Sequence, residues 1–165
     1  MKRNDRLEIP MTIDWNAKNY RGSFLSYLIE KNNYKKIVEV GVKFGRTTFF
    51  LLDNHPDITI YSVDTDISKF YNNDVKIRYG NRLIPIQGNS YIVAEKIPDN
   101  SVDLVFIDAD HSYNAVKKDI LAYTPKLKNG GLLTGHDIDY PGVNKAVNEL
   151  IENYDVGPNH VWIKK

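Results

Sequence analysis

Asp108, Asp110 and His111 put three ionisable side chains into four consecutive positions, directly after the apolar run Val105, Phe106 and Ile107. Such a run is suited to burial, and carboxylates beside it are costly to bury without a partner. A second pair, His136 and Asp137, follows another largely apolar stretch, "GGLLTG". Two carboxylates brought together in a half-buried site need a cation or a shared proton. Oxygen donors of this kind suit a hard divalent ion that keeps some of its waters, such as Mg²⁺. An imidazole close by, of a kind that titrates near ~6.5, could accept a proton at neutral pH. The plainer reading is that Asp110 or Ser112 caps the next helix while Asp108 accepts backbone hydrogen bonds. On the residues alone both readings stay open. His55 and His160 fall in expected surface loops and are given no role.

Two more acids sit beside glycine turns. In "EVGVKFGRTT", Gly41 and Gly45 bracket a turn from strand into helix, with Glu39 two residues before the first glycine. Glycine there allows positive φ and a close approach of backbone to ligand. The dinucleotide fingerprint G-x-G-x-x-G needs tighter glycine spacing, and this stretch lacks its first pair. An acid at Glu39 would repel a diphosphate but suits a ligand that carries positive charge. Asp64 ends "IYSVD", where a ribose-binding acid sits in nucleotide-binding α/β folds. Gly88, Asn89 and Ser90 supply a turn, an amide and a helix cap after "IPIQ". They read either as the wall of an adenine pocket or as a plain capped helix.

These residues share a position relative to the elements that carry them. Strands are expected at 36–40, 59–63, 83–87, 102–107, 131–134 and 160–164. Several are apolar on consecutive residues, as central strands of a parallel sheet are. Amphipathic helices are expected between them, at 21–33, 47–52, 90–96, 113–127 and 141–154. The last begins near Pro141 and carries Val143, Ala146, Val147, Leu150, Ile151 and Tyr154 at helical spacing. Asp66 or Ser68 is expected to cap a short helix after the second strand. The alternation gives an α/β fold, a doubly wound Rossmann-like sheet with helices on both faces and minimal C-terminal strands. Ligands of such sheets bind at the carboxyl ends of the strands. Every residue singled out above lies there.

Taken in order, "EVGVKFGRTT", "YSVDTD", "IQGNS", "DLVFIDADHSY" and "LKNGGLLTGHD" make the chain resemble the class I S-adenosylmethionine-dependent methyltransferases, from about Ile37 to Leu150. The resemblance implies S-adenosylmethionine lying across Gly41–Gly45 and Thr47, its ribose on Asp64, and its adenine near Gly88, Asn89 and Ser90. The sulfonium would lie near Glu39, with Asp108 bordering the same pocket. "FIDADH" and "GGLL" are similar to the metal-dependent catechol- and caffeoyl-type O-methyltransferases. Those carry lysine where this chain has His111, and Asp-Asn where it has Asp137-Ile138. The pattern "IDADHSY…GHD…PGV" is closer to the branch of macrolide-sugar O-methyltransferases and cephalosporin-hydroxylase-like proteins. That branch implies Asp108, His136 and Asp137 as metal ligands and His111 as base. Glutamate is common where His136 stands.

The function expected is therefore O-methylation of a hydroxylated small molecule (a sugar, polyketide or phenolic) assisted by Mg²⁺ or another divalent ion. The alternatives are methyl transfer without metal and a cofactor-binding module without catalysis. A dehydrogenase is disfavoured by the missing glycine fingerprint. With 165 residues and a net charge of +1, the chain is expected to be one domain (1–34 an N-terminal cap segment and helix) with no nucleic-acid or membrane partner. It has no cysteine, hence no disulfide, thiolate metal site or thiol nucleophile. No apolar run reaches the length of a membrane span or signal peptide, so a cytoplasmic protein is expected. The short C-terminal region leaves part of substrate selection to a homodimer partner, with Trp15, Tyr113 and Tyr140 as candidate pocket aromatics.

Overall fold

Five parallel strands carry the site: β1 (Lys36–Val40), β2 (Thr59–Asp64), β3 (Leu83–Gln87), β4 (Val102–Ile107) and β5 (Leu127–Gly135). Two short strands, β6 (Tyr154–Val156) and β7 (Trp162–Lys164), complete one sheet of order β3-β2-β1-β4-β5-β7-β6. β7 runs antiparallel to both β5 and β6. This structure, a computed structural model, describes residues 20–165. Trp15 and most of the expected N-terminal cap lie outside the described residues.

The consecutive apolar residues of the strands point alternately to two cores, as the period of two requires. Val38, Val40, Val105 and Ile107 face one core. Ile37, Leu104 and Phe106 face the other. The first core is covered by α4 (Ser90–Val93), α5 (Tyr113–Tyr123) and α6 (Pro141–Leu150). The second is covered by α1 (Tyr20–Asn32), α2 (Arg46–Asn54) and α3 (Asn73–Tyr79). Glu39 shares the second face and is buried there with Thr48 and Ser62. Among the described residues no helix is long and apolar enough to cross a membrane.

Register sets the site. Val40 pairs with Val63 and with Ile107, and Ile107 pairs with Gly135. The next residues along that edge are therefore Gly41, Asp64, Asp108 and His136. Gly41 must be glycine: its φ is +88°, and an added Cβ would collide with the Asp108 carbonyl oxygen.

Several sequence expectations change at the margins. The helix expected at 113–127 ends at Tyr123, a 3₁₀ turn over Thr124–Lys126 follows, and β5 begins at Leu127 instead of Gly131. The last helix ends at Leu150 rather than Tyr154, because Ile151 turns extended (φ −120°, ψ 110°) and Tyr154 joins β6 opposite Lys164. The apolar spacing that suggested more helix comes from residues that serve two elements. Asp66 caps only a turn of 3₁₀ helix over Ile67–Lys69, and α3 is capped separately by Asn72, whose side chain accepts from Val75 N at 3.0 Å. His55 is not a surface residue: it closes α2 from beneath α1, with Nε2 2.6 Å from Ser26 Oγ.

The short strand β7 is anchored by Trp162, which is fully buried and whose carbonyl accepts from Thr134 Oγ1 at 2.6 Å. Trp162→Ala should remove roughly 3–5 kcal/mol of stability, read as a lower urea midpoint. An unchanged midpoint would show that β7 carries no part of the core.

Candidate active site

Two cavities meet at this edge and share Gly41, Lys43, Asp108 and Ala109. The first, of about 440 Å³, is walled by Asp64, Gly88, Asn89, Ser90 and Tyr91. The second, of about 400 Å³, is walled by Arg21, Glu39, Thr47, His111 and Asp137 among others. Both are of the size that holds small ligands.

Asp64 holds the glycine turn in place. Its Oδ2 accepts from Val42 N at 2.9 Å and Lys43 N at 2.8 Å, and its Oδ1 accepts from Asp66 N at 3.0 Å. Partial burial works against ionisation, but these three amides outweigh it and hold the carboxyl below its ordinary value. A carboxylate has about four acceptor positions, and Thr65 Oγ1 takes the fourth only weakly, donating to Oδ1 at 3.4 Å, so a ligand hydroxyl could replace that long contact. Lys43 adopts a left-handed φ of 55°, a strained conformation for a residue with a side chain, in the turn that borders both cavities.

Glu39 lies deeper. Thr48 donates a short hydrogen bond to its Oε2, and Thr48 Oγ1 also lies 3.2 Å from Ser62 Oγ. Burial, reinforced by the Asp108 carboxylate and opposed by Thr48, pushes its carboxyl up to about 8. Gly45 lines neither cavity; it caps α2 at φ 75°. Ser90 is held by a buried acid that the sequence reading did not single out. Its Oγ donates to Asp119 Oδ1 at 2.5 Å, and Tyr123 OH donates to its carbonyl at 2.9 Å. Burial pushes the Asp119 carboxyl up to about 6.

The cluster after β4 and β5 divides its members. Asp110 turns away and accepts from Ser112 N at 2.6 Å, the plain local role. Asp108, His111 and Asp137 converge, with one ligand atom of each within 4.8 Å of the others. His111 Nε2 is 2.9 Å from Asp137 Oδ2 and 3.9 Å from Asp108 Oδ1. His136 lies under this trio, its Nδ1 3.6 Å from Asp108 Oδ1. That nitrogen also approaches Asp137 Oδ1 at 2.9 Å but off the line a hydrogen bond needs, so neither ring nitrogen has a hydrogen-bond partner. The geometry thus gathers His111 where the sequence suggested His136. Two carboxylates and an imidazole fit a hard divalent ion. A further partner is already present: Arg21 of α1 donates a short charged hydrogen bond to Asp108 Oδ2. Burial pushes the Asp108 carboxyl up, and Arg21 and His136 pull it back.

The aromatic candidates separate. Tyr140 packs on His111 with ring centroids 4.7 Å apart. Tyr113 instead donates to Glu149, with Lys145 over its ring at 4.3 Å.

The signature of a methyltransferase domain matches residues 38–138, from β1 past the last residue of the trio. The chain belongs to the methyltransferase-domain family. It is a class I, S-adenosylmethionine-dependent methyltransferase with the Rossmann-like sheet of that class. A search of the curated proteins finds no sequence match. Solved structures share the fold. A protein assigned as a caffeoyl-CoA O-methyltransferase from Staphylococcus aureus is 24% identical, with 87% of this chain and 82% of that one covered and a TM-score of 0.72. The O-methyltransferase from Bacillus cereus, solved with S-adenosylhomocysteine (SAH), is 17% identical over 87% and 80%, with a TM-score of 0.68. Podospora anserina methyltransferase PaMTH1, also bound to SAH, is 16% identical over 88% and 77%, with a TM-score of 0.71.

In this methyltransferase domain the residues missed from sequence are Arg21, Thr48 and Asp119. Arg21 and Asp119 act on partners far along the chain, and Thr48 on Glu39 from the next element. The one signal available was arithmetic: more acids at one edge than the neighbouring sequence could neutralise. The Asp64 geometry carries a testable consequence. A depressed carboxyl stabilises the fold in full above its unfolded value near ~3.9, and that stability fades as pH falls through the lower folded value. Asp64→Asn should therefore melt below wild type at pH 7, with the gap closing as pH approaches 3. A gap of equal size at both pH values would contradict the assignment.

Proposed function

We propose that this methyltransferase moves the methyl group of S-adenosylmethionine to a hydroxyl of a small-molecule acceptor. The observation that carries the reading is the convergence of Asp108, His111 and Asp137 where the two cavities join. In this reading the first cavity takes the adenosine: Asn89 and Ser90 flank the adenine, and Asp64 takes the ribose hydroxyls. The turn at Gly41 passes the methionyl part towards Glu39 and Thr47, so the sulfonium faces the trio. The acceptor fills the second cavity with its hydroxyl beside His111. Two fold relatives, the Staphylococcus aureus protein assigned as a caffeoyl-CoA O-methyltransferase and the Bacillus cereus O-methyltransferase, agree with oxygen as the acceptor atom.

The proton has a defined route. Asp137 beside Nε2 favours a proton on that nitrogen, which leaves Nδ1 as the basic atom of His111. Nδ1 takes the hydroxyl proton, and Asp137 stabilises the imidazolium that results. The oxygen then attacks the methyl carbon in line, the carbon–sulfur bond breaks, and neutral SAH remains. Tyr140 packs on the imidazole and restricts its rotation. A divalent cation bound by Asp108 and Asp137 would supply Lewis-acid polarisation of the hydroxyl. A second reading, methyl transfer without metal, draws on the Arg21 contact, which already neutralises Asp108.

Calorimetric titration with SAH tests the pocket: Asp64→Ala should bind at least about ten-fold more weakly than wild type. Undiminished binding in Asp64→Ala, or none in wild type, would overturn the cofactor placement. With a hydroxylated acceptor in hand, His111→Ala should lose roughly 10²–10⁴ in kcat while the KM for S-adenosylmethionine stays put. A loss confined to KM would remove His111 from the proton route.

A further inference from the structure

Arg21 stands out because its partner lies 87 residues away and in the centre of the site. Its guanidinium meets Asp108 Oδ2 on a side chain only 12% exposed, while Arg21 itself is 32% exposed and walls the second cavity. The remaining carboxylate oxygens of the trio face imidazoles. Asp108 Oδ1 looks towards His111 and His136, and Asp137 has one histidine on each oxygen. Among the described residues, Arg21 is thus the permanent positive charge in contact with this acid pair.

We propose that Arg21 is the resident counter-ion of the Asp108–Asp137 pair and sets the affinity of the site for a divalent cation by competing for Asp108. The inference rests on the cation reading given above. With Arg21 in place, two carboxylates and one guanidinium sum to −1, and a divalent ion would overshoot to +1. With Arg21 withdrawn, the same ion would balance the pair. Like charges within a few ångströms of each other in a partly buried site repel strongly. The guanidinium hangs on a flexible stem at the start of α1, so it can swing into the cavity without disturbing the helix. The pair then carries −1 with Arg21 in place and zero with the ion bound, and its two charges are never left together without a cation in a low-dielectric interior.

The experiment is a titration of the full chain with Mn²⁺ alone, with free ion read by electron paramagnetic resonance. Arg21→Gln should bind Mn²⁺ at least about ten-fold more tightly than wild type. Arg21→Lys, which keeps the charge, should stay near wild type, and Asp108→Asn should lose the ion. Binding that is equal or weaker in Arg21→Gln overturns the proposal and leaves the cation reading standing. No Mn²⁺ binding by any variant, with SAH binding intact, overturns both and leaves the metal-free reaction. Arg21→Met keeps the aliphatic packing and serves in place of Arg21→Gln if that variant does not fold.

Discussion

Four acids reach the carboxyl edge of one parallel sheet, and a partly buried edge tolerates none of them uncompensated. Each is relieved by a different means. Burial pushes the Glu39 carboxyl towards its protonated form, three backbone amides hold Asp64, the Arg21 guanidinium meets Asp108, and His111 Nε2 lies 2.9 Å from Asp137. This differential treatment of similar side chains creates chemistry. A buried acid with a raised carboxyl lies under the turn, an anion holds that turn, and a carboxylate pair meets a guanidinium and an imidazole.

The same constraint explains the local strain. Gly41 brings the first turn against the backbone of Asp108, and no side chain fits between them. Lys43 and Asp137 both adopt left-handed φ values, 55° and 56°, on opposite sides of the site. Such conformations persist where surrounding contacts over-determine them. At Lys43 the contact is its own amide on Asp64, and at Asp137 it is the pair of histidines. Stability and function draw on the same bonds here.

The parallel strands were legible because burial on both faces demands consecutive apolar residues. Val102–Ile107 shows the pattern so plainly that its limits matched the structure. Strand-end positions follow from topology, so Asp64, Gly88, Asn89, Ser90, Asp108 and Asp137 could be assigned to one edge from the sequence, and the structure sets them around the two cavities. What escaped was long-range pairing. Arg21 lies on a helix with no motif around it, and only tertiary packing sets it on Asp108. The sequence reading made His136 a ligand and His111 the base; the structure gathers His111 with the two acids and places His136 beneath them, a difference that depends on how the chain turns after β4 and β5. Strand β6 was hidden because three residues pairing with β7 carry too short a pattern to outweigh the preceding helical period.

Burial favours the protonated form of Glu39, and the proposed cofactor placement sets a sulfonium beside it. With a carboxyl at about 8, the free protein holds most of this proton at pH 7. A nearby positive charge favours the ionised form, so binding must expel the proton. The direct measurement is calorimetric titration with S-adenosylmethionine at pH 7 in two buffers of different ionisation enthalpy. Heats that differ in the sense of proton release for wild type, and coincide for Glu39→Gln, are the predicted result. Equal heats in both buffers for wild type, or proton uptake, would contradict the account.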